Sequence, residues 1–136
     1  MIYQSEEQIL ETVRTFENGT ISRTDWGHAE HLLVAAFYAF HYDYETALGK
    51  MRGGIFNLLT AFKVDLSKEM PYHETLTVFW MRTIYKMSEN CNGISLVETV
   101  NKILQTYDDK DLPLKFYSRD LLFSDEARKN FVKGDL

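Results

Sequence analysis

At 136 residues and 15.9 kDa the chain has the length of one domain, enough to bury a core without disulfides or a structural metal. A hydrophobic content of 45% and a charged content of 26% exclude disordered, fibrous and collagen-like classes. Fifteen scattered Lys and Arg against 20 Asp and Glu leave a net charge of −5, which argues against nucleic acid or an anionic membrane as partner, since both require a concentrated basic surface.

Two prolines, seven glycines and long stretches with apolar residues three and four apart predict an all-α, single-domain bundle spanning residues 1–136. About five helices are expected, followed by an irregular C-terminal segment and a short helix packed back on them. The first helix runs from Ser5 to about Asn18, with Ile9, Val13 and Phe16 on one face, a Ser5 cap, and Glu6 and Glu7 matched to the helix dipole. A second, from Thr24 or Asp25 to His41, is apolar around nearly its whole circumference and so belongs at the centre.

The third helix, Tyr44 to about Phe62, carries the stripe Ala47, Met51, Ile55, Leu58 and Leu59. It is interrupted by Gly53-Gly54, a pair that implies either close approach of another group or a break. Lys63 to Met70 reads as a loop. Pro71 stands in or just before the first turn of a fourth helix that reaches about Glu89, with Leu76, Phe79, Trp80, Ile84 and Met87 inward. A capping box, Ser95 and Glu98, opens a fifth helix ending near Tyr107. In the tail, Leu114, Phe116, Tyr117, Leu121, Leu122 and Phe123 are too apolar for solvent, and Ser124 caps a last helix reaching about Val132.

No segment approaches the roughly 20 apolar residues of a membrane span. The lone Cys91 agrees with a reducing compartment, and acidic residues stand where a secretory signal would be basic, so a cytoplasmic protein is expected. Cys91 sits in a loop with no neighbouring histidine, which argues against a catalytic thiol.

Chemistry concentrates in two strings, Trp26-Gly-His28-Ala-Glu-His31-Leu32 and Tyr72-His73-Glu74-Thr75-Leu76-Thr77, which hold three of the four histidines. His28 and His31, three apart, share a helix face, and the helix N-terminus keeps their rings neutral, as metal ligation requires. His73 and Glu74 occupy the corresponding place on the fourth helix. If the two helix ends meet, His28, His31 and His73 form a candidate metal site. Glu74 is then a fourth ligand or, with His73, an acid/base group acting on bound water. Three imidazoles with an open position suit Zn(II), and two histidines with a carboxylate suit Fe(II) or Mn(II). A polar network that merely ties two helix ends together accounts for the same residues.

Arg52, next to Gly53-Gly54, and Arg119 are candidates for holding an anionic group, and Trp26 and Tyr72 for walling a ligand pocket. Nine Phe, eight Tyr and two Trp exceed what a small helical core requires, so a homodimer or other protein-interaction surface is the alternative to a metal-dependent or metal-free enzyme.

With the later string Tyr117-Ser-Arg119-Asp, the two histidine strings resemble those of a family of small, uncharacterised bacterial proteins showing Trp-x-His-x-x-His-Leu, Tyr-His-Glu-Thr-Leu-Thr and Tyr-Ser-Arg in that order. The likeness covers roughly Phe16 to Arg128. It implies that His28, His31, His73, Glu74 and Arg119 are the site positions, and it brings no established activity.

Overall fold

The computed structural model describes residues 3–65 and 71–136. Every regular element among them is helical: α1 Glu6–Glu17, α2 His28–His41, α3 Tyr44–Ala61, α4 Glu74–Glu89, α5 Leu96–Thr106, a 3₁₀ turn Leu112–Lys115, α6 Arg119–Leu122 and α7 Asp125–Lys129. The part of the expected Lys63–Met70 loop from 66 to 70 lies outside the described residues.

Helix α2 is the centre of the bundle, packed against α1, α3, α4 and α5. Its sequence dictates this: Leu32 to Ala36, Tyr38 and Ala39 are all buried, a run too broad for one neighbour to cover. Around it close Ile9, Val13 and Phe16 of α1, Met51 and Leu58 of α3, Met81 and Ile84 of α4, and Val100 and Ile103 of α5. Each such side chain contributes about 1.5–3 kcal/mol by leaving water.

Helix starts follow the capping chemistry. Ser5, Asp43, Ser95, Ser118 and Ser124 each accept an N–H from the first turn that follows. Helix α2 begins later than Thr24 or Asp25, because Ser22 to Asp25 form a turn of their own and Gly27 is the N-cap, its N–H held by the Glu30 carboxylate at 2.9 Å. Helix α4 begins at Glu74, so Pro71 stands outside it and His73 is the cap.

Helix α3 runs unbroken through its glycines, and Gly54 supplies the reason for one of them. A Cβ there would stand 2.4 Å from the ring of Phe16, whereas at Gly53 it would meet nothing within 4 Å. The tail does pack back, with α7 against α4. Two of its aromatics depart from expectation: Phe116 and Phe123 remain 50% and 47% exposed. Helix α7 stops at Lys129 rather than Val132 because Asn130 turns extended, and Thr75 of α4 binds this strap by donating to the Asn130 carbonyl and accepting from the Val132 N–H.

Candidate functional site

The N-terminal ends of α2 and α4 meet, and both histidine strings line one cavity of about 400 Å³. Trp26, Tyr72 and Trp80 supply aromatic wall, Ile55 and Leu59 of α3 and Leu76 of α4 close the apolar side, and His28, His31, His73 and Thr77 are the polar side chains. Among the described residues that line it there is no Asp, Glu, Lys or Arg.

The three histidines do different work. His73 uses both ring nitrogens: Nδ1 accepts the Leu76 N–H at 3.2 Å as the α4 cap, and Nε2–H donates to the Leu122 carbonyl at 2.6 Å, fastening α6 to the bundle. Burial lowers its basicity, and Arg128 adds to that against the opposing pull of the Leu122 carbonyl. His28 donates Nε2–H to the Tyr107 carbonyl at 2.8 Å, tying the start of α2 to the end of α5, and its ring meets Trp80 edge-on at 5.0 Å. These bonds set the Nε2–H tautomer in both rings.

His31 has no hydrogen-bond partner for either nitrogen among the described residues. It stands edge-on to Trp26 at 6.0 Å, and Trp26 in turn stacks on Phe16 at 4.8 Å. Burial, with the nearby His28 adding to it, lowers the His31 pKa to about 4, so the ring is neutral near pH 7 and offers one donor and one acceptor to the cavity. The indole N–H groups of Trp26 and Trp80 are likewise without protein partners among the described residues.

Glu74 turns away from the cavity. Arg52 grips it through two bonds, Nε to Oε1 at 2.9 Å and Nη2 to Oε2 at 2.6 Å, and the Tyr72 hydroxyl donates to Oε1 at 2.6 Å. Burial pushes the Glu74 pKa up, but the bonds from Arg52 and Tyr72 prevail and hold it below the ordinary carboxylate range. Tyr72 is pushed up to about 12 by burial and by this carboxylate. Both oxygens of Glu74, expected as a ligand or an acid/base group, are thus engaged by Arg52 and Tyr72, and both ring nitrogens of His73 by Leu76 and Leu122. Arg52 holds Glu74 rather than an anionic ligand, and Arg119 is exposed on α6, outside the cavity.

Among the described residues no three His, Cys, Asp or Glu side chains are grouped as a metal would need. Of the expected ligands His28, His31 and His73, the last has no lone pair left to give. Trp26 and Tyr72 do line the pocket, and Thr77, whose hydroxyl donates to the His73 carbonyl at 3.0 Å, joins them unforeseen.

Fold and site together define a helical bundle with an aromatic-walled cavity that holds no charged side chain among the described residues. No protein-family model matches the chain, and no curated protein or solved structure matches it. No helix among the described residues is long and apolar enough to cross a membrane.

Proposed function

We propose that this protein binds a small, uncharged, planar molecule in the cavity between α2 and α4, with His31 as the group that recognises it. The observation that carries this reading is the neutral imidazole of His31, without a hydrogen-bond partner among the described residues, facing a cavity whose described lining holds two tryptophans and no charged side chain. An anion or cation entering would shed water without gaining a counter-charge, whereas a neutral ring stacks on the indoles and exchanges hydrogen bonds with His31. The cavity volume, about 400 Å³, suits a one- or two-ring molecule. With its basicity this far reduced, His31 acts at neutral pH as a hydrogen-bonding partner and not as a base.

Benzimidazole, planar and carrying one N–H donor and one nitrogen acceptor, tests the reading against benzoate, an anion of similar size. Tryptophan fluorescence and imidazole NMR should report saturable benzimidazole binding that weakens about tenfold or more in His31→Phe, the loss of a hydrogen bond worth roughly 1.4 kcal/mol. Equal or tighter binding of benzoate, or indifference to the substitution, would sink the proposal.

A second reading, a homodimer or interaction module, draws on the half-exposed rings of Phe40, Tyr42, Phe116 and Phe123. Sedimentation equilibrium decides it: a monomer across the micromolar range removes the homodimer.

A further inference from the structure

On another face of α4 lies a larger groove of about 750 Å³, lined on one side by the C-terminal strap. Phe79, Tyr107, Leu112 and Phe116 make its apolar surface, and among the described residues the charged side chains lining it are Arg82 and Lys133. In a chain with more acidic than basic residues, a groove whose described lining holds two cations and no carboxylate side chain is a distinct electrostatic feature.

Neither cation is spent elsewhere. The Arg82 guanidinium lies 4.4 Å over the ring of Phe131, which holds it at the groove while leaving its donors unpaired, and neither Arg82 nor Lys133 has an ion-pair partner among the described residues. The strap that carries Lys133 is itself fixed. The Tyr117 hydroxyl donates to the Val132 carbonyl at 2.6 Å, Asp135 accepts from the Ser118 N–H and hydroxyl, both at 2.7 Å, and the Leu136 N–H donates to the Phe116 carbonyl at 3.1 Å. The closest approach falls at Gly134, where a Cβ would stand 2.3 Å from the Phe116 carbonyl oxygen. The groove is therefore a built concavity with an apolar floor and a cationic rim.

From this geometry we infer a second ligand site, for a single-chain amphiphilic carboxylate whose apolar chain lies along Phe79, Leu112 and Phe116 and whose head pairs with Arg82 and Lys133. Charge complementarity selects the head group, and the length of apolar wall selects the chain. The site is separate from the His31 cavity and does not depend on its ligand.

The test titrates decanoate, below its micelle concentration, into the full chain and follows backbone amide NMR shifts at Gly134, Leu136 and Arg82. Decanol and decyltrimethylammonium serve as neutral and cationic counterparts. Saturable shifts confined to the groove are expected with decanoate. Affinity should fall at least tenfold in Arg82→Gln/Lys133→Gln, whose circular dichroism should match that of the unaltered chain, and in Phe116→Glu, which places a negative charge at the half-exposed mouth. His31→Phe should leave decanoate binding as it was. Absence of saturable shifts, equal affinity for the cationic amphiphile, or affinity unchanged in both variants overturns the site.

Discussion

The division of labour between His73 and His31 predicts that one substitution has opposite consequences at two neighbouring positions. His→Phe keeps an aromatic ring at each and removes only its nitrogens. At His73 this deletes the α4 cap, worth about 0.5–2 kcal/mol. It also leaves the Leu122 carbonyl without its donor, a penalty of about 1–3 kcal/mol for a buried group. His73→Phe is therefore expected to cost about 2–4 kcal/mol, a large part of the 5–15 kcal/mol typical of a domain. At His31 no protein hydrogen bond is lost and a desolvated polar ring becomes apolar, so stability should stay within about 1 kcal/mol of the unaltered chain. Urea unfolding followed by circular dichroism measures both. His73→Asn supplies an internal check: asparagine caps well, so it should recover the cap contribution and retain only the loss at Leu122. Equal costs for the two phenylalanine variants would show that His31 is part of a structural network and would remove the basis for its recognition role.

Four further outcomes follow from the same geometry. The His31 pKa is lower in the folded chain than in the unfolded one, so the unfolded state binds more protons below pH 6.5 and stability falls on acidification; between pH 7.5 and 5 the loss should be about 2 kcal/mol, and His31→Phe should flatten most of it in urea titrations. The folded-state pKa of Glu74 is also lowered, so its contribution is present above its ordinary pKa of 4.5 and disappears only below it; Glu74→Gln should change the acid limb of the profile and not the region near pH 6. Gly54→Ala should cost about 1 kcal/mol or more, crowding against Phe16 outweighing the gain in helix propensity, whereas Gly53→Ala should stabilise by about 0.5–1 kcal/mol, both read from urea midpoints. Zinc titration monitored by elemental analysis should show no stoichiometric uptake, and near-stoichiometric metal lost in a His28→Ala/His31→Ala variant would restore the metal-site reading.

The helices were legible because their apolar faces repeat: Ile9, Val13 and Phe16, or Val100 and Ile103, announce both the helix and its buried side. The nearly all-round apolarity of α2 likewise announced its central place. The meeting of the two histidine strings was legible only as a possibility, since nothing local decides which helix ends adjoin. What each histidine does was legible only as two alternatives, a ligand set or a polar network tying helix ends, and His28 and His73 make bonds of the second kind. A histidine just before a helix looks the same whether it caps the helix or serves a ligand, and the partner that settles the matter for His73 is the Leu122 carbonyl, 49 residues away. Arg52 and Glu74 illustrate the same limit, a pair brought together by the packing of α3 on α4 and not by spacing along either. Phe116 and Phe123 mark another: hydrophobicity predicts a preference for burial, but the short turns of the tail leave both rings about half covered.

The line of contacts from Gly54 through Phe16 and Trp26 to His31 has a spectroscopic consequence. Each ring lies within the magnetic anisotropy of the next, so a displacement of either α1 or α3 by a fraction of an ångström alters the local field at the His31 ring protons. Those resonances, the few imidazole signals in a chain with four histidines, thus serve as a gauge of how α1 and α3 are seated, readable without labelling either helix.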